Sequence, residues 1–203
     1  MTNELHLNDL FWTFQGEGFH SGRRALFVRM PFCNLSCEWC DTKFNTFHKW
    51  EEKALIDFAT EEPGDFAVIT GGEPMLHKHT SRVLDILHGL HFEVAAESNG
   101  TAAPVKGFDF ITVSPKRQSS QKRLPPYFIH DDIFGAASEF KYVVDSKFDF
   151  SVLERHDTLD GRRYSLSPEF NDFDLNASKI MEYVKENPEW RISLQTHKWL
   201  KIP

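Results

Sequence analysis

The sequence predicts an α/β domain with a mainly parallel sheet, rolled into a shortened partial (β/α) barrel. Three observations carry this prediction. Strand-like and helix-like segments alternate several times along 203 residues, with short connections that favour parallel packing. The polar and glycine-rich clusters all follow the C-terminal ends of strands, the edge that carries ligands in parallel sheets and barrels. The strand–helix repeats are too few for a full eight-unit barrel. The length suits one domain over 1–203, with a ligand loop over 31–42.

Residues 5–10 alternate weakly and read as an edge strand or a lead-in, and residues 11–18, aromatic and then glycine-rich, as a ligand loop or a surface turn. Residues 25–30 form the first clear strand. Helical spacing over 50–60 sets Ala54, Leu55, Phe58 and Ala59 on one side, and Pro63-Gly64 ends it. A short apolar strand over 66–70 runs into the turn Gly71-Gly72-Glu73-Pro74. Thr80 is expected to cap a helix whose apolar face holds Val83, Leu84, Ile86, Leu87 and Leu90. Strands follow over 92–96 and 108–113, ending in Glu97-Ser98-Asn99-Gly100-Thr101 and Ser114-Pro115-Lys116. Residues 117–130 are basic and proline-bearing with no period, an excursion long enough to suggest function. A fifth strand covers 139–144, and Ser151 to Glu154 has capping-box spacing for a short helix. Residues 164–166 make a sixth strand, Asp174 or Asn176 opens a helix that Asn187-Pro188 ends, and 191–194 alternate as a last strand.

Composition removes several classes of function. Thirty acidic against 23 basic side chains give a formal charge of -7, a poor match for the nucleic-acid backbone. The longest apolar runs are strand-sized, far short of a bilayer crossing. The polar, acidic start does not resemble a secretory leader, so the expected compartment is the cytoplasm. An odd number of cysteines, three, rules out a disulfide framework, and a reducing compartment suits thiolate ligands.

All three cysteines fall in Cys33-x3-Cys37-x2-Cys40, on a turn-like stretch after the first clear strand. Three thiolates this close suit a cubane iron–sulfur cluster whose fourth iron stays open to a small molecule. A zinc site needs a fourth ligand, for which His48 is nearest, and zinc ligands usually arrive as separated pairs; unligated cysteines are the third reading. Gly71-Gly72-Glu73-Pro74 matches neither a P-loop nor a dinucleotide fingerprint and by itself is an ordinary turn. Its backbone groups beside a metal loop suit an amino-acid moiety, and Ser98 or Ser114 a ribose. His77 and His79 have metal-like spacing but read as solvated side chains.

Taken together, these motifs resemble a known family. The cysteine spacing is the signature of radical S-adenosylmethionine enzymes, and Thr70-Gly71-Gly72-Glu73-Pro74 resembles the motif that ends their second barrel strand. The chain is similar over nearly its whole length to the 7-carboxy-7-deazaguanine synthase family. The narrowing motifs are residues 13–18, Cys40-Asp41-Thr42, residues 97–101, 114–116 and 195–198, and Pro203. The resemblance implies a barrel of the radical SAM type and a carbon–nitrogen lyase of queuosine biosynthesis. That lyase converts 6-carboxy-5,6,7,8-tetrahydropterin to 7-carboxy-7-deazaguanine with loss of ammonia. It also implies a [4Fe-4S] cluster, S-adenosylmethionine and Mg2+ as cofactors.

Residue by residue, the resemblance assigns Cys33, Cys37 and Cys40 to the cluster and Thr42 to Mg2+. Trp39, Gly72, Glu73, Ser98, Ser114, Pro115 and Lys116 are assigned to S-adenosylmethionine. Phe14, Gln15, Gly16, Arg29, Thr70 and Pro203 are assigned to substrate, and Glu17 belongs to the motif without a defined role. Arg29 offers a bidentate fork for the pterin carboxylate that lysine cannot reproduce. A terminal carboxylate on Pro203 suits the guanidine-like edge of the pterin. No residue stands out as a general acid or base. A homodimer is implied. Separately, the basic residues Lys116, Arg117, Lys122 and Arg123 suit a patch that receives an acidic electron donor such as flavodoxin, the alternative being a solvated loop. The competing readings are an activase that makes a glycyl radical on a partner protein and a zinc-stabilised binding module.

Overall fold

The computed structural model describes residues 4–37, 40, 46–117 and 124–203. In chain order the strands are β1 (Glu4–Leu7), β2 (Asp9–Phe14), β3 (Arg24–Met30), β4 (His48–Glu51), β5 (Phe66–Gly71), β6 (Glu93–Ser98), β7 (Phe110–Val113), β8 (Glu139–Val144), β9 (Arg163–Pro168) and β10 (Trp190–Ile192). The helices are α1 (Glu52–Glu61), α2 (Thr80–Gly89), α3 (Asp131–Ala136), α4 (Phe173–Glu186) and α5 (Thr196–Leu200). Eight strands form one sheet in the order β10-β9-β8-β7-β6-β5-β3-β2, and β1 and β4 form a separate antiparallel pair. Every pairing in the large sheet is parallel except β2 with β3. Among the described residues the sheet has two edges, β2 and β10, and does not close on itself.

Period-two alternation sorts each strand onto two faces. Leu26, Val28 and Met30 of β3 pack with Leu55 of α1 and Val83 and Leu87 of α2 in one core. Phe140, Tyr142 and Val144 of β8 join Ile133 of α3, Ile180 of α4 and Trp190 in a second. Each fully buried side chain of this size contributes about 1.5–3 kcal/mol relative to exposure. On the opposite face a small cluster of Ala25, Phe66, Val68, Ala95 and Phe110, with Phe27 against it, fills only part of the concavity. Most of the alternate positions left on that face are polar, among them Arg29, Thr70, Glu97, Thr112, Lys141 and Ser165.

Local differences from the sequence reading have physical reasons. Phe11 to Phe14 are not loop but the last part of β2, pinned by antiparallel pairing that sets Phe11 opposite Phe27 with stacked rings 5.5 Å apart. Thr80 is the first residue of α2 rather than its cap, and its hydroxyl donates to the Pro74 carbonyl at 2.6 Å. Asp149, not Ser151, caps the short 3-10 helix Phe150–Arg155, accepting from the Ser151 amide at 3.0 Å. Neither α4 residue expected at its start caps it: Asn176 is buried inside the helix, donating to the Glu169 carbonyl at 3.3 Å. Helices α3 and α5, of six and five residues, are too short for a periodic signal.

Candidate active site

A cavity of about 420 Å³ opens on the concave face of the sheet. The loop after β2 lines it with Phe14, Gln15, Gly16 and Glu17, β3 with Phe27 and Arg29, and β5 with Thr70 and Gly71. The far wall comes from Glu97 to Asn99, Ser114, Lys116, Lys141 and Val143, and the C-terminal segment adds Gln195, His197, Ile202 and Pro203. All six residues expected to meet substrate, Phe14, Gln15, Gly16, Arg29, Thr70 and Pro203, therefore share one cavity. Arg29 lies with its guanidinium 4.8 Å from the Phe11 ring centroid, a cation–π contact that fixes the fork. Gly16 is where His197 approaches the backbone so closely that a Cβ would strike its ring.

The loop after β2 and the C-terminal segment bridge the two open edges of the sheet. The Gly16 carbonyl accepts from the Thr196 amide and hydroxyl, both at 2.9 Å, and the Gly18 amide donates to Ser193 Oγ at 2.8 Å. The Gln195 side-chain amide donates to Glu17 Oε1 at 2.8 Å, which ties this seam to the cavity wall.

Beneath the seam lies a buried set of charges. Lys141 Nζ stands 3.0 Å from Glu17 Oε2 and 2.9 Å from Glu97 Oε2. The Gln15 amide donates to Glu97 Oε1 at 3.0 Å. Thr112 of β7 sits between Glu97 and Glu139 in register, and this short side chain lets Lys141 reach across to Glu97. Glu139, almost wholly buried, accepts from the Phe19 amide at 3.0 Å and from the Ser165 hydroxyl. Burial pushes the Glu17 carboxyl up, but the Lys141 ammonium and the Gln195 amide overcome it and hold it at about 2. Burial raises Glu97 above the ordinary carboxylate range despite Lys141. Burial also opposes charge on Lys141, yet its carboxylate neighbours carry it well above the usual lysine value.

The residues expected to hold the remaining ligand divide. Ser98, Ser114 and Lys116 line the cavity, whereas Gly72, Glu73 and Pro115 do not. Glu73 is spent on the scaffold, accepting from Ser98 Oγ (2.8 Å), the Asn99 amide (2.7 Å) and the Met75 amide (3.1 Å). Burial raises its carboxyl. Gly72 passes so close to the Phe32 carbonyl that no Cβ fits, and its amide donates to the Met30 carbonyl at 2.8 Å. Lys116 Nζ donates to Ser114 Oγ at 2.7 Å, and burial lowers its pKa.

The cofactor expectation is corrected. Among the described residues no group of three or more His, Cys, Asp or Glu side chains is gathered so that it could hold a metal ion. Cys33 Sγ instead accepts hydrogen bonds from the Leu35 amide (3.4 Å) and Asn99 Nδ2 (3.6 Å). Burial pushes the Cys33 and Cys37 thiols up, and Cys40 is exposed. The set does not fit the [4Fe-4S] cluster assigned to Cys33, Cys37 and Cys40. Nor does it supply the open iron on which S-adenosylmethionine was to be held. Among the described residues no such group forms a zinc site either, and His48 is an exposed residue of β4. Thr42, assigned to Mg2+, and Trp39, assigned to S-adenosylmethionine, lie outside the described residues.

Lys141 and Glu139 are not legible as site residues. In Glu139-Phe140-Lys141-Tyr142-Val143-Val144 the charged positions alternate with large apolar ones, which reads as a strand with one face in water. The usable signal is a lysine and a glutamate, Lys141 and Glu97, at matching inward positions of two strands in a sheet predicted to curl.

No protein-family model matches the chain. It is 33% identical over 205 residues to a 7-carboxy-7-deazaguanine synthase of Flavobacterium psychrophilum, covering 98% of this chain and 93% of the relative. It is 30% identical over 207 residues to the enzyme of the same name from Haemophilus influenzae, covering 98% and 94%. The crystal structure of QueE from Escherichia coli superposes with a TM-score of 0.78 at 24% identity, over 94% of this chain and 93% of that one. The likeness bears out the shortened partial barrel. With relatives aligned end to end at this identity, the chain belongs to the 7-carboxy-7-deazaguanine synthase family of the radical S-adenosylmethionine superfamily.

Proposed function

We propose that this chain performs the reaction for which its relatives are named, converting 6-carboxy-5,6,7,8-tetrahydropterin to 7-carboxy-7-deazaguanine with loss of ammonia in queuosine biosynthesis. One observation carries the reading beyond the likeness: Phe14, Gln15, Gly16, Arg29, Thr70 and Pro203, drawn from four separate parts of the chain, meet in one cavity sized for a bicyclic ring system. Arg29, held against Phe11, takes the substrate carboxylate in its fork. Phe14 and Phe27 offer apolar contact to the ring, and Gln15 and Thr70 offer hydrogen bonds at its edge. The carboxylate of Glu17 complements the guanidine-like end of the pterin. The seam over the cavity keeps bulk water from the reacting ring.

The chain acts as one cytoplasmic domain; among the described residues no helix is long and apolar enough to cross a membrane. A second copy covers apolar surface near the C-terminus, where Trp199 packs edge-on against Phe170 and Phe173 yet stays 56% exposed beside Leu200. An acidic electron donor docks near Lys116 and Arg117; Lys122 and Arg123 lie outside the described residues.

The decisive experiment incubates the protein anaerobically with the carboxy-tetrahydropterin, S-adenosylmethionine and a one-electron reductant, and follows the deazapurine by chromatography and mass. Product formation is expected, and its absence overturns the proposal. Arg29→Lys keeps the charge and loses the fork, so KM for the pterin should rise about 10- to 100-fold. An unchanged KM removes Arg29 from substrate binding.

A further inference from the structure

We propose that Glu97 carries the proton in the ammonia-losing step, that Lys141 positions it, and that Glu17 is the second carboxylate held on the same ammonium. The inference rests on the reaction proposed above, while the gathering of the three groups in one cavity wall does not depend on it.

One ammonium bridges two carboxylates, at 2.9 Å from Glu97 Oε2 and 3.0 Å from Glu17 Oε2. Each carboxylate has its other oxygen on a different amide: Glu97 on Gln15 at 3.0 Å, Glu17 on Gln195 at 2.8 Å. All three groups line the cavity. Two negative charges against one positive leave the set able to accept one proton at low cost, and the surroundings decide where. Glu17 is held at about 2 by Lys141 and Gln195 against its burial. Glu97 is pushed up by burial and also feels Glu17 and Glu139. The charged groups facing Glu97 are Lys141 and Glu139 from β8, Glu17 from the loop after β2, and Lys116 after β7. Two carboxyls driven apart in this way mark a division of acid–base roles.

The chemistry needs one such carrier. Conversion of the carboxy-tetrahydropterin loses one ammonia and no net electrons. In the elimination a ring C–H bond breaks and its electron pair becomes a ring double bond. The C–N bond breaks and its pair leaves on nitrogen. One proton therefore departs from carbon and one must arrive at nitrogen. Glu97 takes the first, delivers it to the nitrogen and ends the cycle ionised as it began. Lys141, kept cationic by its carboxylates, is too weak an acid to serve as donor; its charge limits how far burial raises Glu97.

The test compares wild type with Glu97→Gln, Lys141→Met and Lys141→Arg, by turnover of the carboxy-tetrahydropterin and by infrared pH-difference spectroscopy. Glu97→Gln is expected to bind substrate within about threefold of wild type, to lose about 100-fold or more in kcat, and to lose the acid limb of the kcat–pH profile. Lys141→Met should move that limb to higher pH, while Lys141→Arg leaves it in place. A carboxyl band absent from Glu97→Gln should titrate above the usual carboxylate range and rise further in Lys141→Met. Wild-type kcat in Glu97→Gln, or a limb and band unmoved by Lys141→Met, overturns the inference and leaves the proposed reaction standing. If wild type itself makes no product, the reaction falls, and the infrared titration alone then decides the pairing.

Discussion

Gly72 is the position where the cavity's rim depends on a missing side chain. The turn after β5 lies against the start of the cysteine loop, joined by the Gly72 amide to Met30 and the Glu73 amide to the Phe32 carbonyl at 2.9 Å. A methyl group at residue 72 falls on backbone rather than on a flexible side chain, so relief requires moving the main chain. Gly72→Ala is expected to cost on the order of 3 kcal/mol, read as a lowered denaturation midpoint at unchanged m-value. A loss below about 0.5 kcal/mol would show that the turn yields freely. For single residues the sequence is informative where a motif carries the information. Gln15, Arg29 and Thr70 stand in or beside recognisable motifs, and all three share the cavity. Lys141 has no such marker, because a lysine in an alternating strand looks the same whether its face meets water or a carboxylate across a curled sheet.

The strands and the segments between them divide the labour unevenly. β8 turns Phe140, Tyr142 and Val144 into the core and Glu139, Lys141 and Val143 into the concavity, so a single strand both anchors the sheet and charges the site. The seam contributes through few, directed bonds, of which Gln195 to Glu17 reaches the cavity wall. Gln195→Ala is expected to cost about 1 kcal/mol of stability and to raise KM for the pterin with little change in kcat, measured by denaturation and steady-state turnover. A kcat loss at unchanged KM would contradict this split. Strands with a clear apolar run, β3, β5 and β8, are legible within a residue or two. β2 is not legible beyond Leu10 because Phe11 to Phe14 abut a glycine-rich motif, and only pairing with β3 makes them strand. The 3-10 helix after Asp149 is legible in place but not in its cap, since aspartate two residues earlier competes for the same amide.

Over the molecule as a whole, acid is the condition most apt to weaken the fold. Burial holds His156 near a pKa of about 4, stacked on Phe134, packed against Phe140 and Tyr142, and bonded to the Tyr142 hydroxyl at 2.8 Å. His77 is likewise held at about 4 by burial. A histidine whose folded pKa lies below its unfolded value binds protons more readily when unfolded, so stability falls as pH drops from about 6.5 to about 4. Glu17 then loses its contribution between about 4.5 and about 2. Glu73 and Glu97, raised in the folded state, act in the opposite sense. His156→Gln keeps a partner for Tyr142 but does not titrate. It should therefore lose less stability than wild type between pH 6.5 and 4 in denaturant melts, and an equal loss would exonerate His156. The fold class and family are legible across the chain because motifs and strand ends recur in order. The state of the cysteines is not, because spacing reports which thiols are near in sequence and says nothing of whether they are turned toward one another.

The seam has a kinetic meaning as well as a static one. The bond from the Gly18 amide to Ser193 joins positions 175 residues apart, and that from Thr196 to Gly16 joins positions 180 apart. Contacts of that separation close very long loops and are rewarded only after the intervening sheet exists. The cavity is thus the last thing the chain builds: a nascent polypeptide that has completed β9 has most of its core and no enclosed site.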